Sequence, residues 1–267
     1  MKTIAITNEK GGVGKSTIAA HWAAGQAIRG KNVCLIDTDP QGHAARLLGM
    51  PEEDGLYKLL VDNADWRDVL RLVPPERYSV PDQPAAGKLF LLPGSTRTAV
   101  LASLIQDPFT LDDRLKELGD QFDFGLCFLD TAPTASMFDS TIYFAAGAFL
   151  YVTLCEALSF DGIRKSLAKI ERFGLKRAEY GQNANHLLGI VPNMFRARTT
   201  NHRMNLENLA AAFPGQVWKP VAERTKWTEA SNYGKLIFAY APTSGEAHDA
   251  WELIDQAEGA LAAWAIV

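Results

Sequence analysis

Short, nearly continuous apolar runs alternate along this chain with longer stretches in which apolar residues recur every three to four positions. The runs predict strands buried on both faces, and the 3.6-residue period predicts helices. Strands are expected over Lys2–Thr7, Asn32–Asp37, Lys88–Leu92, Phe124–Asp130, Phe149–Leu154 and His186–Val191. The first helix is expected from about Ser16 to Arg29, with Gly30 as the glycine that closes it. Further helices are expected at Gln41–Leu48, Leu56–Val61, Asp65–Leu70, Arg97–Ile105, Leu111–Leu118, Asp161–Phe173, Asn201–Ala211 and Ser244–Ala263. Residues 51–87 are the least readable, because Pro51, Pro74, Pro75, Pro81 and Pro84 interrupt them. The alternation of strand and helix implies an α/β fold, with one doubly wound, mostly parallel sheet carrying helices on both faces. No repeat or linker divides the 267 residues, so 1–267 is expected to form a single domain.

Composition narrows the class. Apolar residues make up 47% and charged residues 22% of the chain, which excludes disorder and fibrous architectures. No apolar run is long enough to span a bilayer, and Asn8-Glu9-Lys10 interrupts the N-terminus too early for a signal peptide. Cys34, Cys127 and Cys155 each sit in an apolar stretch, which predicts buried free thiols in a reducing, cytoplasmic setting. The formal net charge is −4, but residues 162–235 hold 13 Lys/Arg against 5 Asp/Glu. This asymmetry suits an anionic partner, and a solvated basic surface accounts for it equally well.

The candidate chemistry begins directly after the first strand, at Asn8-Glu9-Lys10-Gly11-Gly12-Val13-Gly14-Lys15-Ser16-Thr17. Glycines let backbone N–H groups converge on an anion, and the following helix N-terminus adds partial positive charge. Lys10, Gly11, Gly12, Val13, Gly14, Lys15, Ser16 and Thr17 are therefore the candidate nucleotide cradle. Lys15 would reach the β- and γ-phosphates of ATP, and Ser16 would ligate Mg2+. Glu9 stands where the general phosphate-loop pattern has glycine, and Lys10 adds a second lysine. Downstream, Asp37-Thr38-Asp39-Pro40-Gln41-Gly42 and Asp130-Thr131-Ala132-Pro133-Thr134 place carboxylates at two strand ends. Open parallel sheets bind ligands there. Turn-forming and helix-capping roles for these aspartates are the alternatives.

The loop with its additional lysine resembles that of the ParA/MinD branch of P-loop ATPases, in its deviant form of the phosphate-loop motif. The resemblance implies that Lys10 crosses a homodimer interface to the partner's nucleotide. The D-x-D-P-Q run resembles the ParA pattern, implying that Asp39 orients the attacking water and that Asp37 supports the Mg2+ shell. Asp130 resembles the aspartate ending the family's second nucleotide-binding strand, although Ala132 replaces a proline. On this resemblance Lys10, Lys15 and Asp39 are catalytic, and Ser16, Asp37 and Asp130 attend the metal.

The run Pro192-Asn193-Met194-Phe195-Arg196-Ala197-Arg198-Thr199 resembles the family's loop after its sixth strand, with Arg196 in place of an aspartate. Pro192 or Asn193 would touch adenine, and a strand-terminating turn is the equal alternative. Lys165, Lys169, Arg172 and Lys176 recur with helical spacing along one stripe, and Arg196, Arg198, Arg203, Arg224, Lys226 and Lys235 follow. ParA proteins bind DNA non-specifically through basic residues of their C-terminal half. The resemblance therefore implies a bacterial, nucleoid-associated partition ATPase that forms an ATP-dependent nucleotide-sandwich dimer. A cargo-bound ParB-like protein would stimulate its hydrolysis. The loop starts so early that no helix-turn-helix is expected before it. A MinD-like membrane cycle is disfavoured, because no Lys or Arg follows Lys235 to attach a terminal helix to anionic lipid. A metabolic enzyme on the same scaffold would not need the basic segment.

Overall fold

The computed structural model describes residues 1–133, 137–156 and 159–264. Seven strands form one sheet: β1 (Lys2–Thr7), β2 (Val33–Asp37), β3 (Arg71–Leu72), β4 (Leu89–Leu92), β5 (Leu126–Asp130), β6 (Ala148–Leu154) and β7 (His186–Asn193). Their order is β3-β4-β2-β5-β1-β6-β7, and every pairing is parallel except β3 with β4. From β1 the chain runs outward to β2 and β4, returns through β5, and continues past β1 to β6 and β7. The crevice where the connections diverge opens at the carboxyl end of β1.

Strand alternation splits the interior into two cores. Ile4, Ile6, Leu35 and Phe128 face one side, where they pack with helix α1 (Lys15–Ile28) and the last helix of the chain, Gly245–Trp264. Ala5, Ile36, Cys127 and Leu129 face the other, against the helices at Thr110–Gln121, Met137–Ala145 and Ser159–Glu179. Numbered in chain order, the helices after α1 are α2 (His43–Leu47), α3 (Gly55–Leu60), α4 (Trp66–Val69), α5 (Leu101–Leu104), α6 (Thr110–Gln121), α7 (Met137–Ala145), α8 (Ser159–Glu179), α9 (Thr200–Ala212), α10 (Lys226–Asn232), α11 (Ile237–Tyr240) and α12 (Gly245–Trp264). All three cysteines are buried and free.

Four elements were absent from the sequence expectation, and two others run past their expected bounds. The two-residue β3, α7, α10 and α11 were not anticipated, and α8 is longer at both ends than Asp161–Phe173. Helix α7 ends on long-range partners. The Arg177 guanidinium donates to the carbonyls of Tyr143 and Phe144, and Asn185 Nδ2 donates to those of Tyr143 and Ala146. β7 runs through Pro192 and Asn193, beyond the expected Val191. A proline is tolerated there because β7 is an edge strand.

Candidate functional site

The turn after β1 is fastened to the sheet before its glycines begin. Asn8 is buried, its Nδ2 donates to the Val152 carbonyl at 2.7 Å, and its Oδ1 accepts the Lys10 N–H at 2.8 Å. Gly14 has φ 91° and serves as the N-cap of α1 without offering a side chain. A Cβ at Gly14 would also collide with Asn193 Nδ2, which donates to the Val13 carbonyl at 2.8 Å. The first N–H groups of α1 thus have neither an intrahelical acceptor nor a capping oxygen, and no acidic residue occupies the first turn. That combination makes an anion site at the positive end of a fourteen-residue helix.

Lys15 lies buried inside the same turn, with Nζ donating to the Lys10 carbonyl at 3.3 Å. Burial lowers its pKa, while the charges of Asp130 and Asp39 oppose the shift. Asp37 and Asp130 stand opposite each other in the β2–β5 register, so sheet pairing alone brings them together. Asp130 is fully buried, and neither oxygen has a hydrogen-bond partner of normal geometry among the described residues. Burial raises its pKa to about 7, although the nearby Ser16 hydroxyl and Lys15 charge pull it down.

Asp37 differs. Its Oδ1 accepts from the Asp39 N–H at 3.0 Å and its Oδ2 from the Ala44 N–H at 2.9 Å. Burial, reinforced by Asp130, pushes its pKa well above the usual carboxylate range. Both Asp37 oxygens are spent on backbone, so this residue holds the Asp39 loop in place. Asp39 gives one oxygen to the Gln41 N–H at 2.9 Å, and its Oδ2 has no hydrogen-bond partner among the described residues. Thr134 of the second strand-end motif lies outside the described residues.

Among the described residues no group of three or more His, Cys, Asp or Glu side chains could enclose a metal. The orphaned Asp130 and the Ser16 hydroxyl, next to the anion-favouring head of α1, form a different donor set. It fits a hard cation that keeps water and takes oxygens from the nucleotide.

Lys10 reaches sideways within its own chain, where Nζ donates to Glu156 Oε2 at 2.6 Å. Of the two candidate adenine contacts, the Pro192 carbonyl accepts the Val221 N–H, and the Asn193 amide nitrogen is committed to Val13. Asn193, but not Pro192, lines a cavity of about 270 Å³ whose walls also include Thr17, His21 and Trp227. The last two were missed. His21 lies four positions after Thr17, a legible helical spacing, but its partners come from the far C-terminal part of the chain.

The candidate DNA contacts divide by their pairing. Lys169 turns inward from the expected stripe, lies over the Tyr143 ring and pairs with Glu9 and Asp139. Its charge is compensated, which corrects the reading of four equivalent residues on α8. Arg196 pairs with Glu223, and Arg224 lies 3.5 Å from Asp249. Lys165, Arg172, Lys176, Arg198, Arg203, Lys226 and Lys235 form no ion pair among the described residues. Of these, all but the half-buried Lys235 are exposed. No described helix is long and apolar enough to cross a membrane.

Known proteins resemble this chain in sequence and in fold. The family model described as AAA domain, AAA_31, matches residues 1–180. The chromosome-partitioning ATPase Soj of Thermus thermophilus is 32% identical over 251 residues, covering 93% of this chain and 92% of that protein. Among solved structures, apo McdA from Cyanothece aligns with TM-score 0.74 at 20% identity, covering 98% of this chain and 99% of that one. Cobyrinic acid a,c-diamide synthase from Mycobacterium smegmatis, with bound ADP and magnesium, aligns with TM-score 0.73 at 21% identity, covering 98% and 95%. Those two structures therefore speak to fold alone.

Proposed function

The chain belongs to the ParA/MinD family of P-loop ATPases, as a ParA-type partition or positioning ATPase, and we propose a working cycle for it. It binds ATP with Mg2+, closes into a homodimer around two nucleotides, and holds DNA without sequence preference. A cargo-bound ParB-like protein stimulates its slow hydrolysis and releases it. This cycle places it on the nucleoid in a bacterial cytoplasm.

One observation carries the reading. The uncapped first turn of α1 and the buried Lys15 ammonium lie beside the orphaned Asp130 carboxylate that ends β5. The helix N–H groups and Asp130 lack partners that a triphosphate and its cation supply, and the Lys15 ammonium has donors left beyond its bond to the Lys10 carbonyl. The backbone N–H groups and Lys15 bind and orient the phosphates. Ser16 and Asp130 hold the cation, which when bound neutralises charge on the phosphate oxygens. Asp39, fixed by Asp37, accepts a hydrogen bond from the attacking water through its unpaired Oδ2. Lys10 leaves Glu156 to reach the partner's phosphates, where an ammonium stabilises developing negative charge.

The direct test is a titration of the purified chain with duplex DNA under ATP, ADP and no nucleotide. Binding is expected with ATP only, weakening steeply between about 50 and 200 mM salt. Nucleotide-independent or salt-insensitive binding would remove DNA from the cycle.

A further inference from the structure

The cavity beside the phosphate loop is close to the lower limit of small-ligand sites, about 300 Å³, and suits a nucleoside better than a whole nucleotide. Two of its walls belong to the phosphate cradle. Thr17 is the third residue of α1, and Asn193 donates to the Val13 carbonyl. An occupant is therefore within covalent reach of a phosphate chain held by the loop.

The aromatic wall is built to present surface and nothing else. Trp227 Nε1 donates to the Ala222 carbonyl at 3.3 Å, which uses the only donor of the indole. The His21 ring meets it edge to face, with centroids 4.9 Å apart and planes at 86°. His21 Nδ1 lies 2.7 Å from the Thr17 carbonyl and so carries the proton, while Nε2 accepts the Ile237 N–H at 3.0 Å. Phe238 backs the imidazole at 5.7 Å. Every nitrogen of both rings is thus occupied by backbone, and His21 ties the nucleotide helix α1 to the segment that carries Trp227.

We infer that Trp227 is the surface on which the nucleotide base stacks, and that His21 is a positioning residue holding that surface. Neither ring has a hydrogen bond left to read base edges, so what Trp227 contributes is flat contact area, which is larger for a purine than for a pyrimidine. This assignment rests on the ATPase reading above.

Calorimetric titration in Mg2+ with ATP, CTP and inorganic tripolyphosphate separates the parts. The unsubstituted chain should prefer ATP to CTP. Trp227→Ala should weaken ATP about tenfold, narrow the ATP-to-CTP ratio, and leave tripolyphosphate affinity unchanged. Trp227→Phe should restore most of the preference. His21→Asn should raise KM for ATP without altering tripolyphosphate binding. ATP affinity unchanged in Trp227→Ala would overturn the inference. So would parallel losses of ATP and tripolyphosphate in that variant, since they would mean a disturbed loop. Failure of the unsubstituted chain to bind ATP or tripolyphosphate strikes at the ATPase reading instead.

Discussion

At the carboxyl ends of β1, β2 and β5, Lys15, Asp37, Asp39 and Asp130 are ionisable side chains kept almost entirely from water. Along α8, the loop after β7 and α10, most basic residues stand in solvent on helix faces or turns, Lys169 and Arg177 being the inward-turned exceptions. The first group occupies strand ends whose spacing is set by backbone pairing, so each member has one geometry. The second group has length and flexibility, and several members already carry an acidic neighbour. Bond-making chemistry needs the first arrangement, because buried charges act at high strength and a small displacement is costly. Neutralising a polyanion needs only the second, where contacts are many, weak and nearly interchangeable.

Substitutions can test that contrast, beginning with the largest expected effect. Lys15→Ala should reduce ATP affinity on the order of 100-fold or more by calorimetry, since it deletes a buried charge-assisted partner. Affinity within tenfold of the unsubstituted chain would move the phosphates away from this loop. Asp39→Ala should keep ATP binding and lower kcat by roughly 100- to 1000-fold, trapping the ATP dimer in sizing experiments. Normal turnover would take water positioning away from Asp39.

Asp130 offers a pH test. Its folded pKa is raised to about 7, against an ordinary value of about 3.9. Between those values the unfolded chain releases a proton that the nucleotide-free fold retains, so rising pH costs stability across that window. Asp130→Asn should therefore raise Tm more at pH 8 than at pH 5, while weakening Mg2+-nucleotide binding. An equal Tm change at both pH values would contradict a carboxyl strained by burial.

The basic helices should respond gently. Replacing Arg172 and Lys176 together by alanine should flatten the salt dependence of DNA binding by about two phosphate contacts. Arg196→Ala should change it by less than about one, because Glu223 already neutralises that guanidinium. A larger effect for Arg196 than for the α8 pair would reverse the ranking of the two surfaces.

Much of this was legible beforehand, for identifiable reasons. The apolar runs at Lys2–Thr7 and in the two aspartate-terminated strands are buried on both sides, so their pattern survives without knowledge of neighbours. The glycines before α1 announce a turn that other residues could not adopt easily, and Gly14 confirms it with its positive φ. Helix α7 was hidden because its aromatic and β-branched residues lack a clean period and its end is capped by Arg177 from α8. That same contact removes Arg177 from the basic surface, although in the sequence it looks like any other arginine.

Local chemistry along the chain was enough to specify the α/β alternation, the glycine turn before α1 and the aspartates that close β2 and β5. These follow from periodicity and from backbone constraints acting over a few residues. Which carboxylates keep an unused oxygen, which lysine turns inward to Glu9 and Asp139, and which tryptophan lines a cavity depended on partners far away in the chain. Such pairings arise only when sheet order and helix packing bring distant segments into contact. Burial and hydrogen bonding then settle the charge and role of each side chain.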